Sequence, residues 1–190
     1  MIALITGGVR SGKSRFATRY AAHLGQQGIF VATAVPFDDE MTERVRCHQR
    51  EREQSAFYWK NVEKPYDLSE FFHVWRRDSE HNAKQTVVLV DCLTVWLSNW
   101  LLRYENDQPS QNVTKKIDEL VGAIQDFPGT LLLVTNEVGY GLVPEYALGR
   151  YFRDLAGILN QRMATISDQV FLVTAGIPLE VKSKAYQIGE

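Results

Sequence analysis

Residues 2–14 read IALITGGVRSGKS. A short apolar run is followed at once by the spacing Gly-x4-Gly-Lys-Ser, met by Gly7, Gly12, Lys13 and Ser14. A run that is continuously apolar suits a strand covered on both faces. Glycines allow the chain after it to wrap so that successive backbone N–H groups point inward at an anion. A helix beginning near Lys13 adds its positive N-terminal end. Gly7, Gly8, Val9, Arg10, Ser11, Gly12, Lys13 and Ser14 therefore form the candidate nucleotide-binding loop. Lys13 is expected to reach the outer phosphates and the Ser14 hydroxyl to ligate Mg²⁺. The loop by itself leaves a small-molecule kinase and a nucleotide-dependent switch or binding ATPase equally open.

Outward from this loop, apolar runs recur at 2–6, 28–34, 86–91, 130–135 and 169–174. Helical patterns lie between them near 13–25, 38–53, 67–81, 93–104, 111–126 and 145–166. Alternating strands and helices predict an α/β fold with a mainly parallel sheet and helices on both faces. A chain of 190 residues suffices for one domain, 1–190, with one substantial core. The polar segment 105–112 reads as a surface connection. In such a sheet, ligands bind beyond the carboxyl ends of the strands. The segments that leave those ends, among them VPFDDE, CLTVW, NEVGYG and AGIPL, are the places to look for chemistry.

A net charge of −2 argues against a broad nucleic-acid-binding surface. The two cysteines, Cys47 and Cys92, have no metal-ligand spacing and read as free thiols of a reducing compartment. The apolar stretch 87–102 is short for a membrane span and carries Asp91, so a buried strand running into a buried helix is expected. With no signal-like N-terminal segment, a cytoplasmic location is expected.

Asp91 closes the run TVVLVD, where a phosphate-loop protein places a carboxylate for Mg²⁺; capping the following helix is the competing role. On the stretch 37–53, Met41, Val45 and His48 share one helical face. Spacing alone favours a packed histidine. Its place after the second strand end also suits a nucleophile for an α-phosphorus. Arg44, Arg46, Arg50 and Arg52 read either as phosphate partners or as a solvated face. Leu148, Phe152, Leu155, Leu159 and Met163 make a core stripe, and NEVGYGLVPE (136–145) has the Gly and Pro content of a shaped loop that fits a substrate-binding edge.

Taken together, TGGVRSGKSRFA, VATA, DDEMTERVRCHQRER, WKNVEKP, VLVDCLTVWLSN, TNEVGYGLVPEYALGRYFRDLAGILNQRMA and AGIPLEVK run over nearly the whole chain. They resemble the bifunctional adenosylcobinamide kinase / adenosylcobinamide-phosphate guanylyltransferase family of cobalamin assembly. The resemblance implies a RecA-like phosphate-loop fold and two reactions. A nucleoside triphosphate, ATP or GTP, phosphorylates adenosylcobinamide. GTP then guanylylates a histidine, and adenosylcobinamide phosphate takes over the GMP. It implies that His48 is that histidine and that Thr33, Ala34, Arg52, Glu63 and Asp91 lie at the nucleotide. It also implies a homo-oligomer, with a trimer as the expected form. Where family members commonly show His-Arg or His-Lys, this chain has His48-Gln49.

Overall fold

The computed structural model describes residues 1–35, 43, 50, 52, 55–78 and 85–186. The strands are β1 (Ile2–Thr6), β2 (Gln27–Ala32), β3 (Tyr58–Glu63), β4 (Thr86–Asp91), β5 (Thr130–Val134), β6 (Gln169–Thr174) and β7 (Ile177–Glu180). The helices are α1 (Lys13–Leu24), α2 (Leu68–Asp78), α3 (Leu93–Arg103), α4 (Pro109–Ile124) and α5 (Ala147–Ile166). All seven strands join one sheet in the order β3-β2-β4-β5-β1-β6-β7. Every pairing is parallel except β6 with β7. The α/β fold with a mainly parallel sheet and helices on both faces is thus observed.

Successive side chains of a strand point to opposite faces, which explains the unbroken apolar runs. Ile2, Leu4, Val88, Val90, Leu131 and Leu133 pack with α3, α4 and α5 on one face. Their alternates Ala3, Ile5, Val87, Leu89, Leu132 and Val134 pack under α1 on the other. The stretch 87–102 is a buried strand leading into a buried helix, and among the described residues no helix is long and apolar enough to cross a membrane.

Two strands have no counterpart in the apolar runs. β3 is an edge strand whose Trp59 and Val62 are only half-buried between exposed Lys60, Asn61 and Glu63, so it lacks a continuous apolar signature. β7 is the opposite edge, short, exposed and carrying Pro178, a residue tolerated at edges. The second run ends at Ala32 instead of residue 34, because Thr33 is drawn into side-chain bonds described below. α4 begins at Pro109, inside the polar connection, with proline in its first turn where its missing N–H costs nothing. The predicted helix 38–53 falls largely outside the described residues. Of its positions, Glu43, Arg50 and Arg52 are helical.

Candidate active site at the carboxyl edge of the sheet

β1 delivers the chain into a tight loop. A methyl group on Gly7 would stand 2.4 Å from the Val173 carbonyl oxygen and 2.7 Å from Ser11 Oγ. Gly12 has φ of 92°, and a methyl there would meet the Gly176 Cα at 3.1 Å. Both positions therefore require glycine. The Ser11 N–H closes a turn on the Gly8 oxygen at 3.3 Å, and Phe16 N–H returns to Gly12 O at 2.9 Å. α1 starts at Lys13 with no side-chain cap and no acidic residue in its first turn, so its end keeps its positive field. The Lys13 side chain is buried and its Nζ donates to the Gly8 oxygen at 3.1 Å. Ser14 and Ser11 are half-buried, whereas Gly8, Val9 and Arg10 are exposed at the loop's crest. Among the described residues, the buried hydroxyls of Thr6 and Ser11 have no hydrogen-bond partner. A cradle of glycines, an uncapped helix end and orphaned hydroxyls fit a polyphosphate.

The register of the sheet lines up the strand ends. Glu63 pairs with Ala32, Ala32 with Asp91, Asp91 with Val134, and Val134 with Ile5. Asp91 is thus two strands from the phosphate-loop strand, with β5 between them, and two strands from Glu63. Each gap is about 10 Å at ordinary strand spacing. Asp91 is followed by Cys92, whose thiol is buried. That thiol is pushed up to about 12, chiefly by burial and then by Asp91, with Lys13 among the opposing influences. Cys92 is consequently a protonated, inert packing residue. Asp91 and Ser14 offer hard oxygen donors. Among the described residues no group of three or more His, Cys, Asp or Glu gathers for a metal. A cation here would complete its shell with nucleotide oxygens and water, which suits Mg²⁺.

Thr33, fully buried, uses its hydroxyl twice: it donates to the Cys92 carbonyl at 2.8 Å and accepts the Cys92 N–H at 3.0 Å. The Asp91–Cys92 peptide is cis. Asn99, buried inside the apolar α3, donates to the carbonyls of Thr33 (2.9 Å) and Pro65 (3.0 Å) and so ties the exits of β2 and β3 together. Ala34 is half-buried beside this clamp and Glu63 is exposed at the end of β3. Arg52 does not join the row. Its guanidinium lies 3.5 Å over the Phe30 ring, two residues back from the edge on the α1 face, and its Nε donates to Asn61 Oδ1 at 3.2 Å. Arg50 pairs with Glu43 at 3.6 Å, both exposed, as a solvated helix face would. Arg44, Arg46, Cys47 and His48 lie outside the described residues.

At the other half of the edge, three side chains and the backbone of Asn136 close a ring of hydrogen bonds. The Asn136 N–H donates to Thr94 Oγ1 (2.7 Å), and Thr94 and Thr135 hydroxyls are 3.1 Å apart. Thr135 Oγ1 donates to Asn160 Oδ1 (2.7 Å), and Asn160 Nδ2 donates to the Asn136 carbonyl (3.1 Å). Because Thr135 spends its single proton on Asn160, Thr94 must be the donor between the two threonines. The ring fixes the start of the loop 136–146. Its next residue, Glu137, donates its N–H to the Gly7 carbonyl at 3.1 Å, tying the loop to the phosphate cradle. Arg150 holds the far end through the carbonyls of Pro144 and Glu145, while Tyr146 packs where a side chain on Gly149 would stand. On the opposite flank, the Gly176 N–H donates to Ser11 O at 2.8 Å. Sequence reasoning overlooked Thr94, Asn99, Thr135 and Asn160. The available signal was an amide or hydroxyl set into an otherwise apolar helix or strand.

A family model described as cobinamide kinase / cobinamide phosphate guanyltransferase matches residues 3–181. The chain is 37% identical to the bifunctional adenosylcobalamin biosynthesis protein CobU of Escherichia coli (strain K12), covering 96% of this chain and 100% of that one. It is 36% identical to the protein of the same name in Salmonella typhimurium, over 96% of this chain and all of that one. It is 38% identical to the bifunctional adenosylcobalamin biosynthesis protein CobP of Pseudomonas aeruginosa, over 95% and 97% of the two chains.

Proposed function

We propose that this chain, which belongs to the cobinamide kinase / cobinamide phosphate guanyltransferase family, carries out both of its transfers over the one phosphate loop at residues 7–14. It is an enzyme of cobalamin biosynthesis, a cobinamide kinase and a cobinamide-phosphate guanylyltransferase. Its substrates are adenosylcobinamide and adenosylcobinamide phosphate, with ATP or GTP as phosphoryl donor and GTP as guanylyl donor. The observation that carries this reading is the glycine cradle at residues 7–14, which backs onto the uncapped start of α1 and holds the buried Lys13 side chain.

In the kinase step the loop N–H groups and Lys13 hold the triphosphate, and Lys13 follows the γ-phosphoryl group as charge shifts to the leaving nucleoside diphosphate. The cobinamide hydroxyl oxygen bonds to the γ-phosphorus and gives up its proton, and the bond between that phosphorus and the β–γ bridging oxygen breaks. Held by Ser14 and Asp91, Mg²⁺ would supply further neutralisation of phosphate charge. In the guanylyl step an imidazole nitrogen of His48 bonds to the α-phosphorus and pyrophosphate leaves. A phosphate oxygen of the phosphorylated cobinamide then replaces the histidine, breaking the P–N bond and giving adenosylcobinamide-GDP. Thr33 and Asn99 keep the exits of β2, β3 and β4 in place, so that Ala34 and Glu63 flank the nucleotide on the side away from β1. Arg52, flat on Phe30, supports that wall from behind.

Incubation with α-labelled GTP and no cobinamide tests the covalent step. Acid-labile, base-stable label on the protein is expected, and a His48→Ala chain that still takes up label overturns the assignment. A homo-oligomer, a trimer by resemblance, is the expected assembly, to be read by light scattering.

A further inference from the structure

We infer that the two loops flanking the phosphate cradle form an apolar platform that receives the corrin macrocycle of cobinamide, with Tyr140, Leu142 and Tyr146 on one flank and Ile177 and Leu179 on the other. This rests on the function proposed above. Large apolar side chains standing in water mark contact surfaces when they cluster. Here Leu142 is 97% and Tyr140 90% exposed, and Tyr146, Ile177, Leu179 and Val9 at the loop crest are exposed as well. Both loops are bonded directly to the backbone of the cradle, through Glu137 N–H to Gly7 O and Gly176 N–H to Ser11 O.

The loop 136–146 is also fixed at its base by the Thr94–Thr135–Asn160–Asn136 ring and at its far end by Arg150. Its apolar groups therefore sit on a frame that is ordered before ligand arrives, which lowers the entropy lost on binding. The occupant follows from the chemistry of the reaction. The nucleophilic hydroxyl ends a short arm of the macrocycle and must meet the γ-phosphorus at the cradle. The bulky, partly apolar ring must then rest beside residues 7–14. Among the described residues, the exits of β3, β2 and β4 border that space with Glu63 and with Thr33 tied to Cys92. On the β5–β1–β6 side it is rimmed by the apolar residues named.

The test measures adenosylcobinamide-dependent turnover of the full chain bearing Leu142→Asp or Ile177→Asp, with Leu102→Asp, exposed on α3, as control. A rise of about tenfold or more in KM for adenosylcobinamide is expected for the first two. Labelling by α-labelled GTP without cobinamide should match that of the unaltered chain, and Leu102→Asp should leave KM where it is. Unchanged KM in both platform variants overturns the inference. So does a loss of oligomer in light scattering that accounts for the change in KM, since the loops would then cover a second copy. Failure of the unaltered chain to take label or to turn over adenosylcobinamide speaks against the proposed function instead, and is distinguishable from either result.

Discussion

Over β3, β2 and β4 the described strand exits spend their polar groups on one another: Thr33 on Cys92, Asn99 on Thr33 and Pro65. Over β5, β1 and β6 the backbones of neighbouring exits are bonded together, and apolar side chains are sent outward into water. The first half is a rigid polar wall suited to a nucleotide and its cation. The second is a held but uncovered rim. One sheet edge thus offers two unlike surfaces to two unlike substrates, with the phosphate loop at the seam. Lys13, in the cradle, and Asp91, at the end of β4, stand on its two sides.

The comparison is broken most severely at the seam. Lys13→Ala should lower kcat for phosphoryl transfer about 10²–10³-fold, the loss typical of removing one donor aimed at developing charge. Steady-state assays with saturating cobinamide read this directly, and a loss below tenfold would detach Lys13 from the transferring group. Within the loop, Gly7→Ala forces a methyl onto the Val173 carbonyl and should cost about 1–3 kcal/mol in urea unfolding. Gly8→Ala, with no neighbour within 4 Å, should stay within about 0.5 kcal/mol. Equal effects at the two glycines would mean that the cradle is not held against β6.

Thr135→Val sharpens the contrast on the rim side. It opens the hydrogen-bond ring and leaves the Thr94 hydroxyl proton and Asn160 Oδ1 without partners, for about 1–3 kcal/mol, while Thr135→Ser keeps the hydroxyl and recovers most of that loss. The smallest effect lies at the outer edge, where Glu180 accepts N–H bonds from Val170, Lys182 and Ser183. Hydrogen bonds from Ser183 first, then from Val170, lower this carboxyl from 4.5 to about 2. A depressed folded value means the contribution is complete above 4.5 and fades as pH falls towards 2. The Tm difference between the chain and Glu180→Gln should therefore shrink over that interval. A difference that persists at pH 2 would reject the ionised cap.

Legibility in the sequence followed burial. β1, β4, β5 and β6 lie inside the sheet and show unbroken apolar runs, so they and the phosphate loop could be read directly. β3 and β7 are edges with one half-buried or exposed face and carry Lys60, Glu63 and Pro178, so period and apolarity both fail there. Asp91 was legible from its place at the end of a buried run. The bonding of the Thr33 hydroxyl to Cys92 joins residues 59 apart in the chain, and no local pattern announces it. The ring through Asn160 was hidden for the same reason, because a polar group in an apolar stripe announces only that it must have a partner. Arg150 lies off the core stripe of α5, and only the structure shows it holding the loop ahead of that helix.

The position of β1 within the sheet bears on how the enzyme comes into being. Its two hydrogen-bonded neighbours are β5 and β6, more than a hundred residues further along the chain. During synthesis the phosphate loop leaves the ribosome well before β5 and β6, the two walls of its strand. A growing chain can form β2 with β3 and β4 well before β1 has any partner, and contacts this distant in sequence close slowly. Nucleotide binding is thus a property gained only once β5 and β6 have been made, and affinity for GTP becomes a sensitive reporter of finished folding.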